Sequence, residues 1–446
     1  MIAVLRHLFS SFSRVQVVRS GAAGLAVRIL SVLAGLASSV VLARLLGPVD
    51  YGLYSYVLAL LLTIAVPVQL GLPTLVVRET ARARATEDWP LMRGAWSWAT
   101  LVVILGSVIV TLGVLAWLWF GPEMDDRRRL VLLIGLPQIS LLALAAVRGS
   151  ALRGLKSVFM SIFPDQVLRP LLLMIFVLGV WMSGGSVSAA VVMSMYIVSS
   201  AVALVVGALA LWRATPQGLR KTSISGRNTA TWSRSLIPLS LIVGFNVLSL
   251  NTGLVMLGVM ATDEDVAFFR IALSLSALAV FGLSVVNLFI QPYLAEAYAK
   301  SDFLQLQRLA AGGAGAAFAA TIPVTVIIWF FGARLITTLY GPDYISALTP
   351  LLILLVGQTV SAFFGAVGSV LTMCGKENHN MRILFVSAGL NIVLNLMLIP
   401  IYGTIGAAVA TAVSTTLVNT LMWRAAMKTI RINSSLFGLI WAKNAK

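Results

Sequence analysis

The residues best equipped for chemistry sit inside an otherwise apolar run. From Ser157 to Leu173 the chain reads SVFMSIFPDQVLRPLLL, so Ser157, Ser161, Asp165 and Arg169 recur every four residues. On a helix that spacing makes one slowly drifting face. A second such face joins Arg28, Ser31, Gly35 and Ser38. At 1.5 Å per residue, Asp165 and Arg28 each lie roughly 10 Å inside their runs and Arg169 lies near the middle of its own. Charge at that depth is costly and has to be paired or turned toward a polar interior.

Two arrangements fit the spacing. Asp165 and Arg169 could neutralise each other as an i,i+4 salt bridge within one helix. Alternatively, Arg28 and Arg169 face a cavity and hold an anion, while Asp165 tunes Arg169 or titrates with a coupling proton. Arginine suits that task because its planar fork matches phosphate oxygens and stays protonated when partly desolvated. Two buried cations and one acid leave a net positive charge, which calls for an anionic ligand.

The second half carries polar but uncharged stripes: Asn246 and Asn251; Ser284, Asn287 and Gln291; Gln358, Ser361 and Ser369; Ser387, Asn391 and Asn395; Thr411, Thr415 and Asn419. Such groups either line a cavity or hydrogen-bond between helices. The candidate cavity-lining set is Ser31, Ser161, Asn246, Asn287, Gln291, Gln358, Asn391 and Asn395.

The elements that position these groups follow from composition. Of 446 residues, 59% are hydrophobic and 11% charged, less than half the charge of an ordinary soluble domain. Apolar runs of about 20 residues recur throughout, the length that crosses a bilayer. The reading is an all-α membrane protein with twelve spans, near 21–44, 50–73, 95–120, 130–150, 158–182, 187–212, 235–260, 266–290, 309–331, 347–371, 383–401 and 404–423. Twenty-four of the 32 Lys and Arg residues fall on the side of both termini, including Arg148, and six on the other. The positive-inside rule therefore places both termini in the cytoplasm. The outlying loop is GPEMDDRRR, with three arginines on the opposite side.

Residues 1–20 place Leu5, Leu8, Phe9, Phe12 and Val15 at helical spacing with Arg6 and Arg14 between them, the pattern of an amphipathic segment on the membrane face. Residues 213–234 form a basic, turn-rich linker that divides the spans into 21–212 and 235–423, followed by a tail at 424–446. The stretch Leu436–Ala442 is too short to span and suits an interface. An even count per half makes any repeat parallel. FGPEMD from Phe120 echoes YGPDY from Tyr340, LRGLK echoes MCGKE, and DYGLY from Asp50 lines up with DVAFF from Asp265. The Gly and Ala runs Ala310–Ala320 and Gly406–Thr416 are suited to close helix packing.

Several functions are disfavoured. A single cysteine, Cys374, cannot form an intrachain disulfide, and His7 and His379 lack ligand-spaced partners, so no metal or cofactor is expected. The basic residues are dispersed in short loops, which argues against nucleic acid as a partner. No phosphate-binding loop or nucleophile–base pair points to an enzyme.

GAAGLAVRILSVLAGLASSVVLARLLGPVDYGLYSYVLALL, QLGLPTLVVRETAR, LYGPDYISALTPLLILL and Gly375–Ser414, with Asn391, Asn395, Pro400, Tyr402, Gly403, Gly406 and Ala407, resemble bacterial polysaccharide and O-antigen flippases. Those belong to the multidrug/oligosaccharidyl-lipid/polysaccharide exporter superfamily. The resemblance implies a MATE-like fold, two pseudo-symmetric six-helix lobes around a central cavity. It implies alternating-access transfer of an undecaprenyl-pyrophosphate-linked oligosaccharide from the cytoplasmic to the periplasmic leaflet of the bacterial inner membrane, for O-antigen, capsule or exopolysaccharide synthesis. Arg28 and Arg169 would hold the pyrophosphate, and H+ or Na+ would be the coupling ion. Partners would be membrane lipids, a polysaccharide polymerase and a chain-length regulator. The alternative is a cation-coupled multidrug exporter of the same superfamily, which would favour buried acids over buried arginines.

Overall fold

The computed structural model describes residues 15–69, 71–121, 123–220 and 251–439, with residues 229, 232, 233 and 244. It is helical nearly throughout and divides into two compact units. The first, Ala22–Asn251, holds most of α1 (Val15–Ile64), then α2 (Leu72–Ala85), α3 (Trp89–Phe120), α4 (Asp126–Gly154), α5 (Val158–Met182) and α6 (Ala189–Ala214). The second comprises Thr252–Lys446 with Met1–Gly21. It contains α7 (Asn251–Met260) from its second residue on, α8 (Asp263–Ala299), α9 (Phe303–Leu339), α10 (Leu348–Phe364), α11 (Val367–Met373) and α12 (Glu377–Thr429). Asn246, half of the 213–234 linker and the amphipathic segment before Val15 lie outside the described residues.

A straight helix as long as α1, 50 residues, would run about 75 Å, more than twice the ~30 Å hydrocarbon core. It breaks at Gly47, whose φ of 71° is left-handed. The Ser39 hydroxyl then meets the Tyr51 hydroxyl at 2.8 Å, where a straight helix would hold them roughly 18 Å apart. α12 folds back in the same way at Gly403, with φ 52°. Across its turn, Ser387 Oγ donates to the Ser414 carbonyl at 3.1 Å and Asn391 Nδ2 donates to Ser414 Oγ at 3.3 Å. Among the described residues, nine helices are long and apolar enough to cross a membrane. Two of them are these hairpins, which gives eleven crossings. α7 ends at the residue expected to close the remaining span, 235–260.

Lipid contact is written along α3. Leu101, Ile104, Leu105, Val108, Ile109 and Leu112 are exposed, while Ala95, Ala99, Val103 and Ser107 are buried. Exposed apolar surface at this spacing marks a helix whose solvent on one side is hydrocarbon.

Small residues set the close approaches. Gly365 separates α10 from α11 with φ 67°. A Cβ there would lie 2.6 Å from Ala314 Cβ and 2.7 Å from its Cα. A Cβ on Gly282 would lie 2.6 Å from Ala320 Cβ, and one on Gly357 3.0 Å from Ala412 Cα. Both Gly/Ala runs therefore serve as packing seams.

One expected boundary shifts. The second span ends at Gln69 rather than at residue 73: after Ile64 a short helical turn covers Val66–Gln69, and a new helix, α2, starts after Gly71, whose φ is 67°, with Pro73 in its first turn. Proline at that position gives up an N–H that had no intrahelical acceptor. Arg78, Arg82 and Arg84 lie on this helix. α2 is anchored where Trp96 Nε1 donates to Thr80 Oγ1 at 2.8 Å and Arg84 Nη1 donates to the Leu155 carbonyl at 2.7 Å.

The start of the tail is tied into the second unit. Gln307 accepts from the Asn433 N–H and donates to its carbonyl, both at 2.8 Å. Trp423 Nε1 donates to Asn433 Oδ1 at 2.9 Å, and the Leu436 N–H donates to the Phe363 carbonyl at 3.0 Å. The outlying arginines of the GPEMDDRRR loop are also engaged. Arg127 pairs with Asp50 at 2.9 Å, and the Arg128 guanidinium lies 5.5 Å from the Tyr56 ring centroid.

Candidate functional site

The four-residue stripe of α5 is not a regular helix face. Pro164 has no N–H to donate, and residues Pro164–Leu168 form a π-turn in which the Arg169 N–H reaches back to the Pro164 carbonyl. A turn closed i to i+5 holds one residue more than an α-turn. Within it, Asp165 and Arg169 make no ion pair with each other.

This corrects the internal Asp165–Arg169 salt bridge. Asp165 instead pairs with Arg148 of α4 through a hydrogen bond from Nη2 to Oδ2. The charge count over the loops assigns Arg148 to the membrane surface. In the structure it lies within α4, six residues before its end, with its side chain only 5% exposed. Its Nη1 donates to the Ala203 carbonyl of α6 at 2.8 Å. Small residues make its room: a Cβ on Gly207 would fall on the guanidinium, 2.7 Å from Nε and closer still to Cζ and Nη1. A Cβ on Gly149 would come 3.0 Å from the Ser161 carbonyl, so α4 and α5 also touch closely.

Arg169 is half-buried, and its guanidinium lies 5.3 Å from the ring centroid of Tyr196 on α6. Tyr196 in turn meets Tyr54 edge-on, with centroids 6.1 Å apart. Among the described residues Arg169 makes no ion pair with a carboxylate, Asp165 being held by Arg148. A cation on an aromatic face is attracted by the ring quadrupole without being neutralised. The group Arg148, Asp165 and Arg169 thus carries one net positive charge, and the cation without an acid is Arg169.

The remaining candidates separate. Arg28 is exposed on the first arm of α1, and among the described residues no hydrogen bond or ion pair joins it to Arg169 or Asp165. Ser31 and Ser161 turn their hydroxyls to their own helices, donating to the Val27 carbonyl at 2.6 Å and the Val158 carbonyl at 2.7 Å. Asn287 and Gln291 of α8 meet at Ser369 of α11: Gln291 Nε2 donates to Ser369 Oγ, which donates to Asn287 Oδ1, each at 3.1 Å. Asn391 and Asn395 are enclosed rather than lining an open surface, 4% and 0% exposed. Asn391 tethers the two arms of α12, and Asn395 Nδ2 donates to the Asn391 carbonyl at 2.7 Å. Gln358 is half-buried on α10.

Sequence reasoning misses Arg148 as a site residue. Its signal is the company it keeps: AAVRGSALRG surrounds an arginine with alanines, glycines and a serine, which admit a neighbouring helix instead of water. Among the described residues, no cluster of His, Cys, Asp and Glu could hold a metal ion.

Fold and composition define a class: an all-helical, multi-pass membrane protein with a MATE-like fold. Its fold matches a multidrug-resistance MATE-family transporter of the MOP superfamily in an inward-facing conformation, with TM-score 0.73 and 15% identity over 92% of this chain and 98% of that one. It also matches the lipid II flippase MurJ in an inward closed conformation, with TM-score 0.65 and 16% identity over 95% and 91% of the two chains. Residues 17–298 match the family Polysaccharide biosynthesis protein, and the chain belongs to that family. A relative is the probable flippase AglR of Haloferax volcanii, 28% identical over 180 residues, covering 40% of this chain and 38% of that protein. The chain matches 18% to 38% of the length of the curated relatives.

Proposed function

We propose that the protein is a flippase for a lipid-linked oligosaccharide. Its substrate is carried on undecaprenyl pyrophosphate and moves from the cytoplasmic to the periplasmic leaflet of a bacterial inner membrane by alternating access, supplying surface polysaccharide synthesis. The observation that carries this reading is the half-buried guanidinium of Arg169, seated on Tyr196 and in no ion pair with a carboxylate among the described residues. A pyrophosphate offers such a cation several anionic oxygens in fork geometry. Arg28, exposed on another span, supplies a second cation to the same headgroup. Family membership and the likeness to glycan flippases support the substrate class.

A cation-coupled multidrug exporter is disfavoured by Asp165. Its carboxylate is already neutralised by Arg148 and offers little to a cationic drug. Coupling to H+ or Na+ and delivery to a polymerase with its chain-length regulator complete the proposal.

The test replaces Arg28 and Arg169 separately with Gln and follows surface glycan export at matched protein levels. Export falls in both variants. Normal export in both would remove the anion-holding role on which the proposal stands.

A further inference from the structure

Asp165 lies four residues from Arg169, close enough in sequence for the two to neutralise each other. Were they alone, the site would have no net charge. Arg148 changes that sum from zero to plus one.

Three features show that this arrangement is built. First, the Arg148 guanidinium is committed on two sides, to Asp165 and to the Ala203 carbonyl, and is 5% exposed. Second, Gly207 leaves the space its guanidinium fills, and any larger residue there would displace it. Third, Asp165 sits in the π-turn Pro164–Leu168 with its carboxylate on Arg148 of the neighbouring helix rather than on Arg169 four residues on. The Arg148 Nε is buried with no hydrogen-bond partner among the described residues. A buried donor left unmade is a cost, so the guanidinium is aimed at Asp165 at the expense of full satisfaction elsewhere.

We infer that Arg148 is a positioning residue: it sequesters Asp165 and so leaves the charge of Arg169 available to a pyrophosphate headgroup. The inference rests on the flippase reading and names the device that keeps its site cationic. Arg148 itself does not touch the substrate. Its side chain is enclosed, whereas that of Arg169 is partly open.

The experiment measures binding of farnesyl pyrophosphate to the purified full-length protein in detergent, with farnesol as the uncharged control. Thermal melting of each variant shows that it is folded. Arg148→Gln releases Asp165 to Arg169 and weakens farnesyl pyrophosphate binding about tenfold or more, the scale of one charge-assisted contact. Arg148→Gln combined with Asp165→Asn removes the competitor and restores affinity to within about threefold of the parent. Farnesol binding stays unchanged in both.

Parent-like affinity in folded Arg148→Gln overturns the inference. So does a folded double variant that binds as weakly as the single one, because Arg148 would then act in some other way. If Arg148→Gln does not fold, Asp165→Asn alone decides: it must bind at least as tightly as the parent, and weaker binding overturns the inference. Arg169→Gln tests the underlying reading separately. If it binds farnesyl pyrophosphate as the parent does, Arg169 is not the headgroup ligand, whatever Arg148 does.

Discussion

Gly207→Ala is the smallest change that should unseat the buried ion pair. Within a helix, alanine is favoured over glycine by about 0.5–1 kcal/mol, so propensity alone predicts a more stable protein. The added methyl would land on the Arg148 guanidinium, 2.7 Å from Nε and closer to Cζ and Nη1. The side chain cannot move off freely, because Asp165 holds its Nη2 and the Ala203 carbonyl, one turn from Gly207, holds its Nη1. Overpacking costs about 1–3 kcal/mol, and a buried pair torn apart costs about 3–5 kcal/mol. The clash wins, and the net expectation is a loss of about 3 kcal/mol. Equilibrium unfolding in mixed micelles measures it. Combining Gly207→Ala with Arg148→Gln shortens the obstructing side chain, so the double variant should be no less stable than Arg148→Gln alone. That is non-additivity of about 2 kcal/mol or more. Strict additivity, or a Gly207→Ala protein as stable as the parent, would refute the packing argument.

Gly365→Ala should destabilise the second unit by about 2 kcal/mol or more, because left-handed φ and a clash with the Ala314 backbone act together; unchanged thermal melting would contradict this. Burial raises the Cys374 thiol from 9.0 to about 11, so below pH 9 its thiolate is about a hundredfold scarcer than that of a free thiol. Iodoacetamide should label it slowly in the folded protein, quickly after denaturation, and faster as pH rises toward 11.

How much is legible in the sequence differs by level. The spans can be read because a bilayer imposes a minimum apolar length on every crossing, and Val158–Met182 matches the expected 158–182 at both ends. The Gly/Ala seams are legible because a missing side chain has one use in a tight bundle. The break at Gly71 is not, since Val66, Val68 and Leu72 keep the hydropathy high on both sides of a glycine with left-handed φ. At the site, the unusual charge of Asp165 and Arg169 is visible, but the partner of Asp165 is not. Arg148 lies seventeen residues away, and its room depends on a glycine from a third helix. Local spacing suggests the pair i,i+4, and tertiary packing chooses another.

The two glycine hairpins have a practical consequence. At Gly47 and Gly403 the chain reverses with helix on either side, leaving no stretch of loop for a protease, an antibody or an inserted reporter. Topology mapping in the first unit should instead use the exposed residues 183–186, between α5 and α6. Tags placed at the hairpins would report on the break they cause rather than on the side they face.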